Sequence, residues 1–511
     1  MNKEWTANKN YLLLPIAVGG ESKTVSFHAE GEKIYEFRIP IVMEAQERYS
    51  FHFFAPLPVK QWNGKRITVS GEFPVSFLSA IAESDSIPEM QESRPVVHFA
   101  ANTGWINDPN GLVFQDGQYH MYFQYNPFDV NWDNMCWGHA VSKDLLHWIQ
   151  LETVLYPDAD GTMYSGSAVR NERGLLELPE NAQILFYTCA GNTSEWSKEK
   201  EFVQKIAYSL DGGKTFEKRT DTAVPNLAYK NRDPKVYWHE QSSAYYMVLY
   251  LSGNEYAILR SENLKEWSLS QRLELEGMLE CPDLRPVPME GGGEKWIFIG
   301  ADGYYFTGDF DGYAFYPQGE RREAYRNKIP YAAQTFWGCE KVILVPWLRL
   351  KNIGKSSTGA MGLPRCLSLT EKDSVYLLRQ TPVPEWDSQK EMVCRKDGIR
   401  QAEIIQKREA ASELSLKFSK ACDFSVDLYG TVCDYLCGSG ELRGKEFRID
   451  FGKEIRQISF FSDGEILEIF GENGLLYAAV EADTDQKRGK ITVYAEEEFS
   501  AAVYRVESIK I

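Results

Sequence analysis

Several absences narrow the field first. No apolar run approaches the roughly 20 residues that span a bilayer, and the opening Met-Asn-Lys-Glu-Trp carries no signal-peptide pattern. The apolar stretch from Tyr11 to Val18 is short and stops at Gly19-Gly20, which predicts a strand. Positive charge is scarce. Lys and Arg number 56 against 73 Asp and Glu, a net charge of −17 with a pI near 5.1. Nucleic acid and anionic membrane both call for a basic face, so neither is an expected partner, and a neutral or cationic ligand suits this surface better. Disulfide and metal signatures are missing too. The nine cysteines are an odd set without framework spacing, and the closest pair, Cys433 and Cys437, has no His or Cys partners at zinc-site distances. Reduced thiols in a cytoplasmic setting are expected, with no metal and no cofactor.

What is present points to strands. The chain is 43% apolar and 13% aromatic, rich in Val, Ile and Tyr, and shows no long helical period. At 511 residues it exceeds one hydrophobic core. Residues 1–92 read as a small β-sandwich closed by an acidic linker from Glu83 to Ser93, with Asn63-Gly64 offering a hairpin turn before Ile67. Residues 385–511 read as a second sandwich, turned at Asp463-Gly464 and Asn473-Gly474, with Ala402 to Ala411 as a short helix or an edge strand. Between them, residues 93–384 carry a repeat. Ser142-Lys-Asp-Leu-Leu-His-Trp148 returns as Ser261-Glu-Asn-Leu-Lys-Glu-Trp267, with a looser copy at Ser209-Leu-Asp-Gly-Gly-Lys-Thr-Phe216. Each copy follows a strand-like run, as blades of a β-propeller would, and about 290 residues hold five blades. The expected fold is therefore all-β: a five-bladed β-propeller followed by a C-terminal β-sandwich and preceded by a small N-terminal β domain.

Three acids stand in stiff settings at the starts of strands. Asp108 lies in the turn-rich Asn107-Asp-Pro-Asn-Gly111, Asp233 precedes Pro234, and Glu280 lies two residues before Pro282. A propeller brings such positions together at its axis. Crowded carboxylates cannot all ionise freely, and the division into one proton donor and one nucleophile is what glycoside hydrolysis requires. Asp108 is read as the nucleophile. Glu280 is read as the acid/base, kept protonated by apolar Met278, Leu279 and Cys281. Asp233 is expected to stay anionic beside Arg232 and to hold substrate hydroxyls. Gln124, Trp132 and the turn Tyr164-Ser-Gly-Ser167 fit a sugar pocket, an indole face for the ring and polar groups for its hydroxyls. Trp137 and Trp148 are read as packing residues.

At these residues the sequence closely resembles glycoside hydrolase family 32, the invertase, inulinase and levanase family. The matching stretches are Trp105-Ile-Asn-Asp-Pro-Asn-Gly111, with Ile106 where Met is usual, Trp137 to Trp148, Tyr164-Ser-Gly-Ser167, Arg232-Asp-Pro234 and Glu280-Cys-Pro-Asp283. Tyr305 to Gly312, Tyr331-Ala-Ala-Gln-Thr-Phe336 and Phe460 to Phe470 match further. The resemblance implies a propeller plus sandwich and a retaining mechanism on β-D-fructofuranosyl units through a fructosyl intermediate on Asp108. It places Trp105, Ile106, Asn107, Gln124, Trp132, Tyr164, Ser165 and Arg232 around the terminal fructose, and Trp337 by its proximity to Gln334-Thr-Phe336. The extra N-terminal domain tilts the expectation from sucrose alone towards fructo-oligosaccharides, levan or inulin. The rivals are a fructosyltransferase on the same scaffold, an inverting arabinan-type hydrolase, and a non-catalytic carbohydrate-binding propeller.

Overall fold

The structure, a computed structural model, describes residues 2–44, 47–88, 94–351, 353, 356–405, 411–482 and 489–507. Among the described residues α-helix is confined to Val75–Ala80 and Pro384–Gln389. The N-terminal part is built of β1 (Asn2–Thr6), β2 (Tyr11–Ile16), β3 (Glu21–Ala29), β4 (Glu32–Ile41), β5 (Phe53–Pro58), β6 (Arg66–Gly71) and β7 (Ala82–Ser84). They form two sheets, β1-β6-β3-β4 and β5-β2-β7, closed over Leu12, Val25, Phe27, Phe37, Ile39 and Leu57.

Two expectations for this part are corrected. Asn63-Gly64 does not join a hairpin: β5 and β6 belong to different sheets, and the 3-10 turn Lys60–Trp62 begins the crossing between them. Pro56 and Pro58 have no N–H to donate, which suits β5 to the sheet edge it occupies. The acidic linker also starts later than expected. Ala82–Ser84 pairs with β2, Glu83 opposite Leu12, so these residues belong to the sandwich. Residues 89–93 of the linker lie outside the described residues.

Among the described residues from Gly104 to Pro382, five mainly antiparallel sheets follow in succession, each begun by one strand: Gly104–Gln115, Thr162–Arg170, Arg232–His239, Asp283–Pro288 and Pro330–Thr335. Buried polar contacts draw these first strands together. Ser167 Oγ bonds the backbone of Pro234 and Val236 at 2.8 and 3.0 Å. Asp283 Oδ2 lies 3.4 Å from Lys235 Nζ and accepts from the Thr335 backbone N–H at 2.8 Å. The set closes on itself, because Ser357–Thr358, next to the last sheet, pairs in parallel with Gly104–Trp105 of the first.

The repeated turns occupy the same place in three sheets, between the third and fourth strands. Asp144 Oδ1 accepts from the backbone N–H of Leu146 and His147, and Asn263 Oδ1 does the same for Lys265 and Glu266. The closing indoles, Trp148 and Trp267, donate to the carbonyls of Leu145 and Leu264 at 2.9 and 3.0 Å. Asp211 makes the matching bonds to Lys214 and Thr215.

After Val375–Pro382 the short helix begins with Pro384 in its first turn, and among the described residues ten strands then form one continuous sheet around a second core that includes Leu414, Val426, Tyr435, Phe460 and Val493. Ala402 to Ile405 belongs to the strand Glu391–Ile405, paired with residues 490–493. Residues 406–410 lie outside the described residues. His98 pins this unit to the sheets before it: buried, it bonds Asp463 through Nδ1 at 2.9 Å and Glu468 through Nε2 at 3.1 Å. Glu468 in turn takes Arg365 at 2.9 Å.

Candidate active site

The three predicted acids come together at the beginnings of the first strands. Asp108 stands on the first, Asp233 is the second residue of the third, and Glu280 sits just ahead of the fourth. Cys281 joins two of them, its Sγ 3.6 Å from Asp108 Oδ2 and 3.5 Å from Asp233 Oδ2. Arg232 joins the other pair, with Nε 3.1 Å from Glu280 Oε2 and 3.7 Å from Asp233 Oδ2. Asp233 and Cys281 both hold left-handed backbone, φ 64° and 51°, where a side chain is disfavoured. Neighbouring groups keep them there. Thr188 Oγ1 accepts the Asp233 N–H at 3.0 Å, and Asp233 Oδ2 accepts the Cys281 N–H at 3.1 Å.

Asp108 is held by two donors on different oxygens, Ser165 Oγ at 2.6 Å to Oδ2 and Asn107 Nδ2 at 3.0 Å to Oδ1. Asn107 is itself fixed by the Trp105 indole N–H at 2.9 Å. Burial raises the pKa of the Asp108 carboxyl; Ser165 and Asn107 pull against it, and the Glu280 charge adds to it. Burial likewise raises Asp233, opposed by Arg232 and helped by the Glu280 and Asp108 charges. The buried Cys281 thiol is pushed well up by its burial and by the same acids, so it remains an S–H donor.

This charge distribution corrects the one expected. The sequence predicts an apolar setting for Glu280, yet its side chain is 30% exposed, ion-paired to Arg232 and bonded by the Tyr331 hydroxyl at 3.0 Å. Met278, its neighbour in sequence, is buried in a core below. Adjacency in the chain did not mean adjacency in space. Asp233 was to stay anionic through Arg232, but the guanidinium's hydrogen bonds to a carboxylate go to Glu280, and Asp233 is the buried partner.

The surrounding candidates divide. Gln124 is buried opposite Asn107 in the strand pair, and its Nε2 has no partner among the described residues. A buried amide donor without an acceptor is costly, and a ligand hydroxyl or water would satisfy it. Trp132 is exposed and lies edge-on to Tyr164, ring centroids 6.1 Å apart. Tyr164 is pushed up to about 12 by burial first, with Arg232, Asp233, Asp133 and Glu280 all near enough to act on its phenol. Trp137 is a packing residue as expected, fully buried, its indole donating to the Tyr164 carbonyl at 3.0 Å.

Two candidates are displaced. Ile106 is fully buried in the core and backs the strand instead of facing a ligand. Trp337 bridges Val113, five residues beyond Asp108, which is roughly 15 Å along a strand. There it packs where three apolar clusters meet. Nearness to a motif had placed it in the pocket, but the motif runs along the axis and Trp337 lies at its far end. Conversely, two side chains outside the predicted set touch the acids, Cys281 and Tyr331. Cys281 stands next to a candidate acid in the chain, and Tyr331 opens one of the stretches that match the family, but nothing in that stretch ties its hydroxyl to Glu280, 51 residues away.

A ring-closed set of β-sheets followed by a β-sheet domain, with a carboxylate cluster where the first strands begin, defines a class: propeller-plus-sandwich proteins with an acidic site on the axis. The chain belongs to glycoside hydrolase family 32; the profile of the glycosyl hydrolases family 32 N-terminal domain matches residues 98–382. It is similar to the levanase of Bacillus subtilis, 39% identical over 254 residues, which cover 45% of this chain and 36% of the levanase. It is also similar to an extracellular exo-inulinase of Aspergillus niger, 31% identical over 357 residues, 58% of this chain and 66% of that protein. The match thus spans less than two thirds of either relative. Among solved structures, the exo-inulinase of Aspergillus awamori superposes with a TM-score of 0.71 at 24% identity, over 83% of this chain and 100% of that one.

Proposed function

We propose that the protein is an exo-acting, retaining β-fructofuranosidase that releases terminal fructosyl units from fructo-oligosaccharides, levan- or inulin-type fructans, or sucrose. Residues 93–384 form a five-bladed propeller, with 1–92 as an accessory β domain and 385–511 as the sandwich behind it. The nine free thiols support work in a reducing, cytoplasmic setting. The observation that carries the reading is the Asp108 carboxylate, locked by Ser165 and Asn107 and sharing one pocket with Asp233 and with Glu280.

Asp108 attacks the anomeric carbon while Glu280 protonates the departing oxygen, and Glu280 then takes a proton from the water that frees fructose. Burial works against the Asp233 anion, and Arg232 is bonded to Glu280. Sugar hydroxyls donating to Asp233 would stabilise its anion, and those accepting from Arg232 would draw the guanidinium away from Glu280, leaving that carboxyl free to reach the departing oxygen. Gln124, Trp105 and Trp132 complete the fructose pocket.

Product analysis by chromatography tests this, with sucrose, kestose, inulin and levan offered in parallel. Stepwise release of free fructose is the expected outcome. Glucose in excess over fructose from sucrose would mean transfer to another sugar, and no product from any substrate would leave a binding protein. Asp108→Ala and Glu280→Ala should each cost on the order of 10²–10⁴ in turnover or more, with folding intact by circular dichroism. Wild-type rates in either would sink the assignment.

A further inference from the structure

The N-terminal sandwich shares a cavity with the catalytic sheets. Among the described residues β4 is the outermost strand of its sheet and pairs with β3 alone. Its open edge is met by Asn134: Oδ1 accepts the Arg38 N–H and Nδ2 donates to the Arg38 carbonyl, each at 2.8 Å. Asn134 adopts a left-handed φ of 45° in doing so, and its Nδ2 also reaches Asn126 at 3.1 Å. Beside this contact, Phe37 packs on Phe128 with ring centroids 4.2 Å apart. The loop held in this way carries Trp132, 51% exposed.

Between the two parts lies a cavity of about 370 Å³. Thr24, Glu36 and Arg38 line it from the N-terminal side, Trp132 and Tyr164 from the other, and Trp196 adds a second indole. Thr24 and Arg38 are cross-strand partners, and Glu36 follows two residues along the same face. The charges are matched. Arg38 lies 3.4 Å from Asp133, and Glu36 is bound by Lys33 and by Ser26 at 3.2 Å. Lys33 in turn stands over the Trp196 ring at 5.5 Å. Tyr164 also stands near the acid cluster, since Arg232, Asp233 and Glu280 all act on its phenol.

We infer that this cavity is a second sugar-binding subsite, built jointly by the accessory domain and the catalytic sheets, for the neutral units beyond the first one that follows the terminal fructosyl residue, which sucrose lacks. The inference rests on the function proposed above. Indole faces suit the C–H face of a sugar ring, and the charged and hydroxyl groups around them both donate to and accept from sugar hydroxyls. With its charges internally paired, the site favours a neutral ligand over an anion. Its volume falls within the range of small-molecule pockets.

The test is steady-state kinetics of the full chain on sucrose and on a fructose-ended tetrasaccharide, for wild type, Arg38→Ala and Thr24→Trp. The Arg38→Ala change removes a wall, and Thr24→Trp fills the space from an exposed strand position that tolerates an aromatic. Each should lower kcat/KM on the tetrasaccharide about five- to tenfold more than on sucrose, chiefly through KM. Equal losses on both substrates, or none on either, would overturn the inference while leaving the proposed function standing. A wild-type protein that frees fructose from neither substrate would bring down the function itself. If Arg38→Ala fails to fold, Thr24→Trp decides alone.

Discussion

Asp108 cannot turn without losing a bond, because Ser165 and Asn107 donate to separate oxygens. Both donors also favour its ionised form against burial. Ser165→Ala therefore has a predicted sign. The Asp108 pKa rises further, the acidic limb of the kcat/KM profile moves to higher pH, and the rate falls by about 10- to 100-fold, the worth of a hydrogen bond to a charged group. In wild type that limb should already lie above about pH 4, the ordinary carboxylate range. A profile with its limb unmoved by Ser165→Ala would show that Asp108 is not the group being titrated. Asp233 and Cys281 add a second residue-scale feature. Each left-handed residue costs about 1–3 kcal/mol, and the bonds from Thr188 and between the two residues hold that conformation at the site.

The recurring turn is the element-scale device. Asp144 satisfies two backbone N–H groups and also pairs with His147 at 2.7 Å, so Asp144→Ala strands buried donors. A loss of about 1–3 kcal/mol is expected, read as a lower melting temperature with kcat unchanged on the folded fraction. Asn263→Ala should behave alike two sheets on. This turn was legible because its Ser, Asp/Asn and Trp recur at fixed offsets, and local bonds set those offsets. The three acids were legible from their local sequence, each standing within two residues of a proline, although Asp108 and Asp233 lie in strands and not in the turns that this composition suggested. What was not legible depends on which strand meets which. Nothing near Glu280 in the chain announces that Arg232 and Tyr331 will bind it. Nothing in Asn63-Gly64 reveals that the strands on either side of it belong to different sheets. Trp337 was misplaced because a motif six residues long reaches from the mouth of a site to its floor.

At the scale of the whole molecule, His98 is the junction. Burial pulls its pKa down, but the bonds and charges of Asp463 and Glu468 outweigh this and raise it from 6.5 to about 9. Glu468, raised by burial, is brought down from 4.5 to about 2 by Arg365 and His98, and Asp463 is lowered by His98 in the same way. The raised His contributes stability in full below pH 6.5 and loses it as pH climbs through about 9. The lowered Glu contributes above pH 4.5 and loses it as pH falls through about 2. The junction is thus firmest from pH 4.5 to 6.5. Asp463→Asn should cost about 3–5 kcal/mol by leaving buried charge unmatched, and should flatten the alkaline decline in melting temperature. An unchanged decline would remove His98 as its cause.

The amide that closes the edge of β4 has a consequence for the chain's behaviour among its own copies. A strand edge with free N–H and C=O groups is a template onto which another chain can add. Asn134 blocks it with a side chain, which completes the pairing at one residue and offers nothing to extend it. A protein begun at residue 94 would lack its accessory domain and bare Phe128 and Cys136, both buried against that domain. The accessory domain expressed alone would present the β4 edge uncapped. Each half should therefore self-associate, while the intact chain keeps the surfaces that would drive it turned inward.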